Sequence, residues 1–240
     1  MNLILLQAED FVAPHRVLLR DRRARHIRKV LRADPGFSLR VGLVNGNLGR
    51  GLILACGRDQ VEMEVALVSS PPPPLPITLL LALPRPKVFK RVLAAAVTMG
   101  VKRVFLFNTW RVEKGYWQTS LLQPESLRQI LFEALEQAGD TQLPEVFFRP
   151  RFRPFVEDEV PDLVAGRKAW LLHPDSDSIP ILGLKELALL AVGPEGGFIP
   201  FEVELLARAG LQLGGLGTRI LRVEQAVPAI LGRCLGSGGR

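Results

Sequence analysis

The chain has 240 residues, 48% hydrophobic and 23% charged, with a formal net charge of +7 at pH 7. That length supplies one large core or two modest ones. Apolar runs such as Leu75–Leu83 are too short, and broken by Pro76, to span a bilayer. The opening Met1-Asn2-Leu3-Ile4-Leu5-Leu6-Gln7 lacks the basic region and cleavage site of a signal peptide, so a cytoplasmic protein with no membrane partner is expected.

Residues 1–70 read as short strands around one basic helix. The strands are Leu3–Leu6, Ser38–Val44, Gly49–Cys56 and Gln60–Val68, and Asn45-Gly46-Asn47 is a strong hairpin turn. Arg20–Leu31 reads as the helix, which makes residues 1–70 a small β-barrel domain. Residues 71–76 are a proline-rich linker, because consecutive prolines donate no ladder hydrogen bonds and stiffen the chain. Residues 77–240 alternate strands with helices, the pattern of an α/β fold with a parallel sheet. The expected strands are Ile77–Ala82, Val101–Phe107, Glu145–Phe148, Ala169–His173 and Leu187–Val192. The expected helices are Lys87–Met99 stopped by Gly100, Ser126–Ala138 closed by Gly139, Pro200–Ala209 and Glu224–Leu235.

Charge is concentrated in two stretches. Arg16–Arg40 holds nine basic residues against Asp21 and Asp34, and Pro84–Lys114 holds eight against Glu113, so each carries +7 and the remainder −7. Two basic segments in an otherwise acidic chain point to a polyanionic partner, nucleic acid, with a solvated helix face as the plainer reading. Cys56 and Cys234 lack metal spacing and read as buried thiols. His15, His26 and His173 are scattered with no i, i+4 partner, so no metal site is expected.

The most specific features are two glycine-rich turns. Gly193-Pro194-Glu195-Gly196-Gly197-Phe198 follows a buried-strand pattern and precedes a helix, the place where open α/β sheets bind small ligands. Leu216-Gly217-Thr218-Arg219-Ile220-Leu221-Arg222-Val223-Glu224 comes some twenty residues later. Neither G-x-G-x-x-G nor a P-loop is present, and Glu195 argues for a ligand that is neutral or cationic at that contact. Glu195 has three readings: ligand acceptor, cap for neighbouring amides, or solvated turn residue. Phe198 reads as a core plug. Arg219 and Arg222 reach a substrate phosphate or only make salt bridges. His173-Pro174-Asp175-Ser176 lines the same sheet edge or is a surface turn.

Together the two turns closely resemble the SPOUT methyltransferases of the RsmE type, the 16S ribosomal RNA uridine-N3 methyltransferases. His26-x-x-x-Val30-Leu31-Arg32 with Gly36, and Glu133-Ala134-x-Glu136-Gln137-x-Gly139 with Pro144-Glu145, extend the resemblance over the whole chain. It departs at Thr98, Asp140 and Val223. The resemblance implies an N-terminal PUA-like β-barrel, a C-terminal SPOUT domain with a deep trefoil knot, a homodimer, and S-adenosyl-L-methionine as cofactor. By motif match, Gly193, Glu195, Gly196 and Gly197 form one cofactor loop. Leu216, Gly217, Ile220 and Leu221 form a second, and Leu172 and His173 supply a third. Arg222 is the expected stabiliser of a uracil anion and Glu224, or water, the proton acceptor. Arg20, Arg22, Arg23, Arg25, Arg28, Arg32, Lys87, Lys90 and Arg91 are the expected contacts to 16S ribosomal RNA or the small ribosomal subunit. The alternatives are a non-catalytic RNA-binding or ribosome-assembly factor that kept the fold, and an α/β enzyme using another nucleotide.

Overall fold

Alternating burial along Val61, Met63 and Val65, with Glu64 and Ala66 exposed, marks a sheet with one face on a core. This is seen in a computed structural model, which describes residues 3–174, 179–180 and 187–235. The chain divides into two units: one takes residues up to Pro73 together with Phe132–Leu143, the other Pro74–Leu131 and everything from Pro144 on.

The first unit holds β1 (Ile4–Leu6), β2 (Phe11–Ala13), β3 (Arg16–Leu19), α1 (Arg22–Lys29), β4 (Ser38–Leu43), β5 (Leu48–Cys56) and β6 (Val61–Ser69). Its six-stranded mixed sheet runs β1-β4-β5-β6-β3-β2, with β1 parallel to β4 and the other pairs antiparallel. A register shift between Ile53 and Ala55 bends the long β5–β6 ladder. Leu6, Val17, Leu19, Ile27, Val41, Ile53 and Met63 form the core on one face. The expected hairpin turn is present: the Gly46 N–H donates to Leu43 O at 2.8 Å, and Asn45 has a φ of +57°. That turn also takes the 140s segment, since Asn45 N–H donates to Thr141 O at 2.8 Å and Asn45 Oδ1 accepts from Leu143 N–H at 2.8 Å. Asp140, where the resemblance departs, accepts from Gln142 N–H at 2.9 Å and helps to fold this turn.

Two features of the first unit differ from expectation. Strands β2 and β3 were not read, because each is only three or four residues long. Helix α1 is shorter than Arg20–Leu31: Asp21 caps it by accepting Arg23 N–H at 2.8 Å, and the chain leaves helical geometry by Arg32, at a φ of +49°. Cys56 is half-buried, its Sγ donating to Ala33 O at 3.3 Å, and burial pushes its thiol up. The Cys234 side chain lies outside the described residues.

The second unit contains β7 (Ile77–Ala82), α2 (Pro86–Thr98), β8 (Arg103–Phe107), α3 (Pro124–Ala138, whose residues from Phe132 on count with the first unit), β9 (Glu145–Arg149), α4 (Phe152–Pro154), a π turn at Phe155–Glu159 and α5 (Val160–Val164). Then come β10 (Lys168–Leu172), β11 (Ile179–Pro180), β12 (Ala188–Val192), α6 (Pro200–Arg208), β13 (Gln212–Gly215) and α7 (Val223–Leu235). Among the described residues its seven strands are all parallel, in the order β11-β13-β10-β12-β7-β8-β9. Central β7 and β12 are buried at every residue, as strands covered on both faces must be. Helices α2 and α3 stop at Gly100 and Gly139, both at positive φ. Strand β13 escaped the sequence reading because Gln212-Leu213-Gly214-Gly215 has neither an apolar run nor alternation. Together the units make an α/β protein with one mixed and one parallel sheet.

Candidate functional site

In a parallel sheet every strand delivers its C-terminal end to the same edge. Strands β13, β10 and β12 are neighbours, so the segments that follow them meet: His173-Pro174 after β10, Gly193–Phe198 after β12, and Leu216–Leu221 after β13. They enclose a cavity of about 280 Å³, lined also by Arg111, Val223 and Ala226. Leu172, His173, Gly193, Glu195, Gly196, Gly197, Leu216, Gly217, Ile220 and Leu221 all lie in this lining. The remainder of His173-Pro174-Asp175-Ser176 falls outside the described residues.

The first glycine loop is held from two further strand ends. Glu195 Oε1 accepts the backbone N–H of Arg85, which follows β7, at 3.0 Å. This is the cap reading among the three for Glu195. The Arg85 guanidinium bonds Tyr116, and Tyr116 and Glu195 together push it above its ordinary value. The Tyr116 hydroxyl in turn donates to Glu113 Oε1 at 2.8 Å. Arg111, from the segment after β8, donates to Gly196 O and lies against Gly196 itself, where a Cβ would stand 2.9 Å from Arg111 Cδ. Phe198 is buried and stacks on Phe107 with ring centroids 6.2 Å apart, so it plugs the core. His173 keeps a buried Nδ1 with no hydrogen-bond partner.

Arg222 and Glu224 are not in the lining. They flank the lining residue Val223 at the start of α7, and the Arg222 N–H donates to Gln225 Oε1 at 3.3 Å. Arg219 does line the cavity. Lys87, Lys90 and Arg91 are exposed on α2.

The basic residues of the first unit separate into two groups. Arg20, Arg25 and Arg28 line a second cleft, of about 290 Å³, with Lys29 and Arg58. Arg32 is exposed. Arg22 gives both terminal nitrogens to Glu136 Oε2 at 3.0 Å. Burial drives the Glu136 carboxyl above its ordinary value, although Arg22 opposes this. The expectation of an RNA contact at Arg23 is corrected: its side chain is 6% exposed and is bound by Asp10, Asp21 and the Leu5 carbonyl. Arg23 shares a helix face with Ile27, four residues on, and that spacing was the legible signal of its inward direction.

Arg111 and Glu202 were not singled out from sequence. Glu202 is the third residue of α6 after Pro200 at its start, the spacing of a helix-capping glutamate. It is buried, with Oε2 accepting Ile199 N–H at 3.0 Å and Oε1 accepting Trp110 N–H at 2.6 Å.

Comparison with known proteins agrees with this architecture. The chain is 29% identical over 235 residues to the ribosomal RNA small subunit methyltransferase E of Treponema pallidum, covering 95% of this chain and 88% of that protein. It shares its fold with a putative methyltransferase from Legionella pneumophila solved in complex with the bound cofactor SAM (TM-score 0.78, 23% identity, 96% of this chain and 95% of that one). It likewise shares the fold of a ribosomal RNA small subunit methyltransferase E from Neisseria gonorrhoeae bound to S-adenosyl methionine (TM-score 0.76, 22% identity, 97% and 95%). The model of the RNA methyltransferase domain matches residues 71–235, a span that contains all three cavity loops, and the chain therefore belongs to the RNA methyltransferase domain family.

Proposed function

We propose that this protein transfers a methyl group from S-adenosyl-L-methionine to uracil N3 in 16S ribosomal RNA of the small subunit. The observation that carries the reading is the convergence of three loops from adjacent parallel strands on one cavity in a member of an RNA methyltransferase family. The cavity suits the cofactor. Leu172, Ile220 and Leu221 offer apolar surface to an adenine, the glycines expose backbone groups, and a side chain at Gly196 would collide with Arg111. When bound, the cofactor supplies an electrophilic sulfonium methyl. The loops hold it and align uracil N3 with it. Leu172, His173, Gly193, Glu195, Gly196, Gly197, Leu216, Gly217, Ile220 and Leu221 are the proposed cofactor residues. Arg222 and Glu224, beside Val223, are proposed on the substrate side, as anion stabiliser and proton acceptor.

Residues 1–70, which make up most of the first unit, are proposed as a PUA-like RNA-binding domain, with 71–76 as linker and 77–240 as the methyltransferase domain. The first unit's cleft of five cations and two carboxylates suits a phosphate backbone, so Arg20, Arg25 and Arg28 gain Lys29 and Arg58 as partners. Arg22, Arg32, Lys87, Lys90 and Arg91 are proposed as outer contacts. The insertion of β13 between β10 and β11 supports the reading of a trefoil knot. A homodimer is proposed from the resemblance carried by the two glycine-rich turns. No helix among the described residues is long and apolar enough to cross a membrane, and a cytoplasmic site of action fits a ribosomal substrate.

The test is transfer of labelled methyl to small ribosomal subunits from a strain lacking the gene, with mass spectrometry of the product. Label in 3-methyluridine of 16S RNA supports the reading. Cofactor binding without transfer to subunits or free RNA points to another target. Absence of both transfer and binding favours the non-catalytic RNA-binding factor.

A further inference from the structure

We propose that Arg111, in addition to Arg222, is a catalytic cation facing the target base, and that Glu202 is the positioning residue that holds it there. The inference rests on the methyl-transfer reading above. Arg111 stands at the tip of a tight turn in which Val112 N–H donates to Thr109 O at 3.1 Å. Val112 is buried, whereas the Trp110 side chain is 80% exposed and anchors nothing in this unit. The turn is instead tied by its backbone, through the 2.6 Å bond from Trp110 N–H to Glu202 Oε1. Glu202 is itself immobilised, because its other oxygen caps α6 at Ile199 and the side chain is buried. A fixed carboxylate therefore sets the backbone one residue away from a cavity-lining guanidinium.

Arg111 then reaches over the glycine loop to Gly196 O, and the absence of a side chain at 196 is what leaves it room. A guanidinium has five N–H donors, so this bond leaves donors for a ligand. When N3 of uracil loses its proton to Glu224 or water, negative charge spreads onto the ring carbonyl oxygens. The N3 electron pair then forms the new N–C bond as the methyl–sulfur bond breaks, with that bonding pair left on sulfur. Fixed donors aimed at the developing charge lower this barrier.

The experiment compares wild type, Arg111→Ala, Arg111→Lys, Glu202→Gln and Arg111→Ala/Glu202→Gln. It reads kcat and KM for the RNA, and cofactor Kd by calorimetry, from pH 6 to pH 9. Arg111 is exposed, so its replacement leaves the fold intact. Arg111→Ala should lower kcat roughly 100-fold or more, while cofactor Kd, through loss of the bond to Gly196 O, rises by no more than about tenfold. The deficit should shrink towards alkaline pH, where uracil ionises unaided, and lysine should restore part of it. Glu202→Gln should lower kcat with the same pH trend, and the double variant should be no worse than Arg111→Ala. An unchanged kcat, a loss confined to cofactor Kd, or a pH-independent deficit in Arg111→Ala would overturn the catalytic role. Additive losses would overturn the positioning role alone. If wild type itself methylates no RNA, the methyl-transfer reading and this inference fail together.

Discussion

The guanidinium of Arg23 grips the carboxylate of Asp10 with two parallel bonds, Nη1 to Oδ2 at 2.6 Å and Nη2 to Oδ1 at 2.7 Å, inside the first unit. The same group binds Asp21 through Nε and the Leu5 carbonyl through Nη1. One arginine thus ties the start of α1 to β1 and to the turn after it. Removing one partner of a buried pair strands the other charge, at a cost of about 3–5 kcal/mol. Arg23→Ala should therefore lower the unfolding free energy by about that amount in urea titration. Arg23→Met combined with Asp10→Leu should recover most of it, because the apolar pair leaves no buried charge behind and Asp21, 49% exposed, stays solvated. A loss below about 1 kcal/mol would mean that the pair is not desolvated, as for surface ion pairs.

Asp21 and Glu136 should give the first unit opposite pH dependences. Burial pushes the Asp21 carboxyl up, but its side-chain and backbone bonds with Arg23 outweigh this and hold it below 3.8. Its folded value is depressed, so its stabilisation is present above pH 3.8 and is lost as pH falls through the folded value. For Glu136, burial wins over Arg22 and raises the carboxyl above 4.5. The folded state then binds the proton more tightly, so stability falls as pH rises from 4.5 through the folded value. The stability advantage of wild type over Asp21→Asn should narrow on acidification, and that over Glu136→Gln should narrow on moving towards neutrality. Urea titrations from pH 3 to pH 7 check both signs.

Glu195 holds the glycine loop to the backbone that follows β7. Its hydrogen bond is exposed, which puts its worth near the lower end for a bond to a charged group, about 1.5 kcal/mol. Glu195→Ala should weaken S-adenosyl-L-methionine binding about tenfold, which corresponds to about 1.4 kcal/mol. Glu195→Gln keeps an acceptor oxygen and should lose less. Calorimetric titration of the two variants separates this anchoring role from direct charge attraction, for which Gln would be as poor as Ala.

The cleft formed by α1 and the Arg58 turn should act on RNA through phosphates alone. Arg25→Ala and Arg58→Ala should each weaken binding about equally for unrelated RNA sequences. Each should also reduce the slope of log affinity against log salt by about one phosphate equivalent. Filter binding at several salt concentrations measures the slope, and a variant that loses affinity for one sequence only would be a base contact instead.

Much of the site was legible because it depends on local chemistry. The apolar runs of β7 and β12 announce strands covered on both faces. Gly193–Gly197 stands between a buried strand and a helix-starting proline, and the motif pair around Leu216–Leu221 is specific. Other assignments needed facts that a local window does not carry. Strand β13 has no hydrophobic period, so its place beside β10 follows from pairing, not pattern. The arginines of α1 look equivalent in composition, yet Arg23 turns inward because Asp10 lies under that helix face.

The sequence by itself determined the class of this protein, the identity of its loops and the chemistry of their residues, since strand burial, turn propensity and motif identity are properties of short stretches of chain. Tertiary structure alone decided which loops meet. The strand order β13-β10-β12 brings three distant segments to one cavity, and Glu202 reaches the backbone of Trp110, 92 residues away, to set Arg111 beside them. Such neighbours are chosen by long-range pairing and close packing, which minimise free energy over the whole chain rather than over any one segment.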